Sequence, residues 1–283
     1  MATFVLVHGS WHGAWCWHRV VPELEALGHR VLAPDLPGHG DDATAPAQLT
    51  LKAYAECVAT VIRGATEPVV LVGHSFAGIV ISQVAELVPE RISRLVYVTA
   101  FLPANGQSLS RLATADPGNP VATSSILSAD QQLIRLDLDK VQALLYADCP
   151  ESDVALARQR LCAEPVTPFV TPVAITAERA GSIPRSYIEC LNDIAIPLWF
   201  QRQMQAGMPC DAVTLGEWFD AQGLAESVGG TRYVLELANS TPSAANIVAY
   251  AEIVREKSVL RQLIDAGMEI TGDGFRPEGR SSQ

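Results

Sequence analysis

The run Gly73-His74-Ser75-Phe76-Ala77-Gly78 constrains the fold of this chain more than any other stretch. It joins a continuous apolar segment, residues 68–73, to a helix-forming one, residues 76–87. A serine flanked by glycines at this spacing, on a sharp strand-to-helix turn, is a nucleophile elbow: the turn lifts the hydroxyl above the carboxyl edge of an α/β sheet. Chains built around such an elbow carry their reactive groups in the order serine, acid, histidine. Here all six histidines, His8, His12, His18, His29, His39 and His74, lie at or before the elbow. A nucleophile is specified, and no base follows it.

The flanking segments set the architecture. Residues 3–7 read as a strand, 15–27 as a helix ended by Gly28, and 30–34 as a second strand feeding the loop Asp35-Leu36-Pro37-Gly38-His39-Gly40. Residues 50–63 have helical spacing with Thr50 as N-cap, and 94–99 form another strand. Strands that are apolar on both faces and alternate with helices predict a doubly wound, mainly parallel sheet. Between about residues 103 and 184 the pattern changes to Pro-, Ser- and Ala-rich loops with two polar helices, near 128–146 and 151–161. This insertion is expected to cap a pocket. Residues 185–190 resume as a strand, and a helix begins near Pro197, a residue suited to a first helical turn. Asp193 then falls just past a strand's carboxyl end, where open α/β sheets gather catalytic groups.

Composition narrows the function. With 283 residues, 48% of them apolar and 18% charged, the chain can bury a large core and is not disordered. A net charge of −11 argues against a broad surface for nucleic-acid phosphates or anionic lipid, and favours small-molecule chemistry. The six cysteines, Cys16, Cys57, Cys149, Cys162, Cys190 and Cys210, form no C-x-x-C pair, which predicts reduced thiols in a cytoplasmic protein with no metal site or disulfide frame. The opening Met-Ala-Thr-Phe-Val-Leu-Val reads as a buried strand and not a signal peptide, and no apolar run reaches membrane-spanning length. No cofactor motif is present.

Three motifs together carry a resemblance. His8-Gly9-Ser10-Trp11-His12-Gly13-Ala14-Trp15, the elbow around Ser75, and Tyr187-Ile188-Glu189-Cys190-Leu191-Asn192-Asp193-Ile194-Ala195-Ile196-Pro197 are similar to the methylesterase and hydroxynitrile lyase branch of the α/β-hydrolases, over about residues 2–208. The resemblance implies an α/β-hydrolase domain, 1–208, acting on small carboxylic esters without a cofactor. It implies Ser75 as nucleophile, Asp193 as the acid that orients a base, and the Ser10 and Phe76 N–H groups as an oxyanion hole. His8, Trp11, His12 and His74 are assigned to the substrate pocket. His8 and His12 are expected to shape the loop after the first strand, His74 to point away from Ser75, and His39 to be structural. The lyase alternative is weakened because those enzymes use a threonine where Gly9 stands and a lysine near the missing histidine.

The resemblance ends near residue 210, where Gly216-Glu217-Trp218-Phe219-Asp220 replaces the expected histidine loop. Residues 211–280 instead resemble the latter part of the N-terminal helical domain of DnaB-type replicative helicases. Thr241-Pro242-Ser243-Ala244-Ala245-Asn246-Ile247 and Ile253-Val254-Arg255-Glu256-Lys257-Ser258-Val259-Leu260-Arg261-Gln262-Leu263-Ile264 carry most of this likeness. The chain reads as a fusion of a hydrolase domain with a C-terminal all-helical segment, 209–283. Ile247, Tyr250, Ala251 and Val254 fall on one apolar helix face, which must be buried against the hydrolase body, a second tail helix or another chain. The resemblance implies, as the alternative function, a non-catalytic module that dimerises through these helices or contacts a replication protein of the primosome. Helicase or ATPase activity is excluded, because no G-x-x-x-x-G-K-[ST] loop is present. The expected outcomes are an impaired or inactive esterase and a sheet that has lost its last strand, with dimerisation or poor solubility as the consequence.

Overall fold

The computed structural model describes residues 1–116 and 118–206. Strands β1 (Thr3–Val7), β2 (Arg30–Leu32), β3 (Val69–His74), β4 (Ile92–Val98) and β8 (Arg185–Ile188) form one parallel sheet in the order β2-β1-β3-β4-β8. Its two faces are both apolar, as parallel sheets require. Alternate residues explain how. Val5, Val7, Val69, Leu71, Leu95 and Tyr97 face the larger core, with α2 (Leu51–Arg63) and α3 (Ala77–Leu87). Leu6, Val72 and Val98 face the other way, onto Trp17 and α1 (Val20–Ala26). The period-two pattern thus places helices on opposite faces, and the doubly wound expectation holds.

Local sequence accounts for the helix ends. Thr50 caps α2, its side chain accepting from the Ala53 N–H at 3.1 Å, and Gly28 ends the α1 region at φ +78°. The single helix expected over 15–27 is broken into a 3-10 turn, Ala14–Trp17, and α1. Pro22 is the reason: its ring excludes a helical carbonyl four residues back, so the helix can begin only just before it.

The cap comprises α4 (Leu109–Ala113), α5 (Pro120–Thr123), β5 (Ser125–Leu127), β6 (Leu133–Leu136), α6 (Val141–Leu145), α7 (Glu151–Arg160), β7 (Glu164–Pro165) and α8 (Val166–Val170). Of the helix expected near 128–146 only the end is formed, as α6. β5 and β6 pair antiparallel there, and β7 adds to β6 to give a three-stranded sheet. Ser128 turns the chain: its Oγ accepts from Leu133 N–H at 3.0 Å, and Gln131 takes φ +59°. Side-chain bonding of this kind competes with helix. The expected helix at 151–161 is present as α7.

After β8, α9 (Leu198–Ala206) returns to the larger core through Phe200 and Met204. Among the described residues β8 pairs with β4 alone. The expectations for a lost last strand, the helix around Ile247 and the C-terminal segment lie outside the described residues. No described helix is long and apolar enough to cross a membrane.

Candidate active site

The elbow forms because two of its positions admit no side chain. A Cβ on Gly73 would lie 2.9 Å from the Ala77 carbonyl oxygen, and one on Gly78 would press into the backbone at Phe101, 2.9 Å from its carbonyl carbon. With both absent, β3 turns into α3 within a few residues. Ser75 sits in the left-handed region at φ +54°, a conformation that costs a non-glycine residue about 1–3 kcal/mol and persists only when neighbours hold it. Its carbonyl accepts from Gly78 N–H at 3.0 Å and Phe101 N–H at 3.1 Å, and its own N–H donates to Val98 O at 3.4 Å.

Phe76 opens α3. Its ring is buried edge-on against Phe169, centroids 4.9 Å apart, and against Tyr54, so its backbone is fixed. The Phe76 and Ser10 N–H groups find no acceptor among the described residues. One lies at the positive end of a helix and the other on the loop after β1, and both are free to bind a developing oxyanion. Gly9 permits the close approach of that loop, since a Cβ there would stand 3.1 Å from Ser75 Cβ. Gly9, where the lyase alternative expects a threonine, is thus beside Ser75 and has no hydroxyl.

Asp193 lies in the turn between β8 and α9. Oδ1 accepts from Ala195 N–H at 2.7 Å and Ile196 N–H at 3.1 Å, while Oδ2 accepts from the Thr99 hydroxyl. Burial pushes this carboxyl above its usual range, against the three hydrogen bonds that favour its ionised form. A carboxylate has about four lone-pair sites, so one remains for an imidazole N–H.

None of the six histidines hydrogen-bonds the Ser75 hydroxyl. His8 is enclosed, its Nδ1–H donating to Gly9 O at 2.9 Å and its Nε2 accepting from Leu36 N–H at 3.0 Å. His12 donates from Nδ1 to Ser10 O at 2.7 Å, and its Nε2 accepts from the Tyr146 hydroxyl at 2.6 Å. Burial pushes His12 down to about 4 despite the bond to Ser10, and holds His8 well below its ordinary range. His74 projects to the opposite face of β3, edge-on to Trp17, where burial lowers it to about 3. His18 and His29 are engaged by Trp15 O and Ala2 N–H. His39 is charged: burial opposes the proton, but the neighbouring Glu164 carboxylate outweighs burial and raises His39 to about 11.

Trp11, expected in the pocket wall, is buried, and its indole donates to Ile134 O at 3.1 Å. A cavity of about 220 Å³ lies between α4 and α9, bounded by Leu102, Leu112, Phe200 and Met204 with Arg111 and Gln203; none of His8, Trp11, His12 and His74 lines it. Leu102 follows Phe101, whose N–H binds the Ser75 carbonyl. Sequence reading missed Thr99, Tyr146 and Glu164, because each lies in a segment without a motif. Cys16, Cys57, Cys149 and Cys162 are free thiols, and no group of three or more His, Cys, Asp or Glu among the described residues could hold a metal.

The sequence model of the Alpha/beta hydrolase family matches residues 4–221. The chain belongs to that family. Methylesterase 1 of Arabidopsis thaliana is 35% identical over 226 residues, covering 74% of this chain and 85% of that protein. A longer chloroplastic methylesterase relative from the same plant is covered over only 57% of its length. The solved pyrethroid hydrolase from Sphingobium faniae JZ-2 superposes with a TM-score of 0.67 at 31% identity, covering 74% of this chain and 85% of that one. A second family, the DnaB-like helicase N terminal domain, matches residues 199–256, against the 211–280 expected. The expected double resemblance is therefore found, a hydrolase-family match with a DnaB-like match beside it. The two matches overlap over residues 199–221, and the part of that overlap in α9 packs into the hydrolase core through Phe200 and Met204.

Proposed function

We propose that this member of the hydrolase family cleaves small carboxylic esters, slowly, through Ser75. The observation that carries the reading is the elbow itself: a strained serine beside two unpaired backbone donors, Ser10 and Phe76 N–H. Ser75 Oγ attacks the ester carbonyl carbon, the C=O π pair moves to oxygen, and the two N–H groups hold the oxyanion. Collapse of this adduct breaks the ester C–O bond, the leaving alkoxide takes a proton from water, and a second water hydrolyses the acyl-serine that remains. The hydroxyl proton leaves to solvent base, since no histidine follows Ser75 and the earlier rings are bonded elsewhere. Asp193 stands ready to orient a base that the sequence does not supply. Each oxyanion donor contributes about 3 kcal/mol in enzymes where one has been removed, and hydrolases lacking a triad member keep about 10³–10⁴-fold acceleration over water. Ester-cleaving relatives, a methylesterase and a pyrethroid hydrolase, support the substrate class.

The test is fluorophosphonate labelling of the full chain beside Ser75→Ala. Slow labelling that the substitution abolishes is expected; equal labelling of the two would end the hydrolase reading.

The match to a DnaB-like helicase segment favours a second role, self-association or replication-protein contact through the C-terminal residues. Sedimentation of the full chain against a chain ending at Met208 tests it. A larger species that needs the tail supports association, and equal states contradict it.

A further inference from the structure

One buried charge is unused by the chemistry above. Glu164, in β7, is fully enclosed. Its Oε2 accepts from Trp11 N–H at 3.0 Å and from His39 Nε2–H at 2.9 Å, and its Oε1 from the Tyr54 hydroxyl at 3.4 Å. The other ring nitrogen of His39 donates to Pro37 O at 3.1 Å, so both nitrogens carry protons and the pair is ionic. An enclosed ion pair is a weak source of stability, because desolvation of the two charges offsets their attraction. What distinguishes this pair is its third partner, the Trp11 backbone.

Trp11 takes φ +63°, unfavourable for a bulky side chain, so its surroundings must hold it there. Every polar group of the residue is held by the cap. Its N–H goes to Glu164, its C=O accepts from Cys162 N–H at 2.9 Å, and its indole N–H goes to Ile134 O. The preceding carbonyls are fixed from the other side, Gly9 O by His8 and Ser10 O by His12. Of these ties, only the one from Glu164 carries a full charge to the peptide joining Ser10 to Trp11. Without it the Ser10–Trp11 peptide is tied only through Ser10 O to His12, so the strain at Trp11 can relax and draw with it the Ser10 N–H one peptide back.

We propose that Glu164 is a positioning residue for the oxyanion loop, holding the Trp11 peptide in its left-handed conformation so that the Ser10 N–H meets the substrate carbonyl. The cap is then part of the catalytic frame, and its β6–β7 edge sets the aim of a donor it does not itself supply. This deepens the ester-hydrolase reading and rests on the assignment of Ser10.

The first measurement needs no substitution and no activity. Amide hydrogen exchange in the full chain should find Trp11 N–H protected together with the cap amide Val166, whose N–H is bonded to Gln132 O. A Trp11 amide exchanging as fast as that of exposed Asp130 overturns the proposal. In Glu164→Gln, Trp11 exchange should rise at least tenfold while the α3 amides stay unchanged; unchanged Trp11 exchange overturns it. Ser75-dependent hydrolysis of p-nitrophenyl acetate should lose at least tenfold in kcat with KM within twofold. That loss should shrink in a Trp11→Gly background, because glycine holds φ +63° without help. An equal loss in both backgrounds overturns the positioning role. Absence of any Ser75-dependent turnover in the unsubstituted chain would defeat the hydrolase reading, and the exchange data would still decide the claim about the loop.

Discussion

Gly78→Ala is expected to damage stability and site together. The added Cβ would lie 2.9 Å from the Phe101 carbonyl carbon and 3.0 Å from its nitrogen, with the carbonyl oxygen closer still. These are backbone atoms, so no rotamer change relieves them. Carbon contacts settle at about 3.5–4.0 Å, so the carbonyl carbon alone requires α3 to move away from residues 99–101 by roughly 0.6–1.1 Å, and the nearer oxygen requires more. The Phe101 N–H bond to Ser75 O, now 3.1 Å, would stretch past hydrogen-bonding range. Overpacking costs about 1–3 kcal/mol and the lost bond about 1 kcal/mol, so a loss of roughly 2–4 kcal/mol is expected. For a domain of this size that corresponds to a Tm lower by roughly 4–16 °C. Gly64→Ala is the control with the opposite sign. Gly64 has φ −78° and ψ −9°, and its added Cβ would meet nothing nearer than Val61 O at 3.4 Å. It should stabilise by about 0.4–1 kcal/mol by reducing the freedom of the unfolded chain. Calorimetry of both variants, with fluorophosphonate labelling of Gly78→Ala, checks the pair. A Gly78→Ala protein with unchanged Tm and unchanged labelling would refute the reasoning.

Two further outcomes follow from the buried charges. Folded His12 takes a proton only near pH 4 and His8 and His74 lower than an unfolded imidazole does, so below about pH 6.5 the unfolded chain binds more protons and stability falls, by at most about 1.4 kcal/mol per pH unit for each histidine. His39 has the opposite sign: its stabilisation is complete below about pH 6.5 and is lost as pH rises toward about 11. Denaturant unfolding across pH should therefore peak near pH 6–7, and a His39→Gln variant should lose the alkaline slope; an unaltered slope would contradict the assignment. Thr99→Val removes the hydroxyl donor to Asp193 Oδ2 and should cost about 1.5–3 kcal/mol at a pH high enough to ionise the carboxylate, and less once acid has protonated it. Equal losses at the alkaline and acid ends of the profile would show that the hydroxyl does not serve the charge.

The sheet and the elbow were legible because each is set by short-range rules. Val69 and Leu71 face one core while Val72 faces the other, a period-two pattern visible in the residues themselves, and Gly73 and Gly78 mark a turn that admits no Cβ. Asp193 could be placed by its position after a strand. The cap was not legible in the same way. Leu133-Ile134-Arg135-Leu136 is too short for periodicity to separate strand from helix, and the turn at Ser128 depends on a hydroxyl bond that forms only once the strands meet. Glu164 and His39 are 125 residues apart, and neither carries a motif. Their pairing is a tertiary fact, created where the cap lands on the loops after β1 and β2.

The pH dependence of Ser75-specific ester hydrolysis tests the central claim most directly. Turnover that is slow, absent in Ser75→Ala and rising steadily with hydroxide is the predicted result, since solvent takes the serine proton. Fast turnover that levels off above an apparent pKa near 7, and that disappears when one of the early histidines is changed, would contradict it.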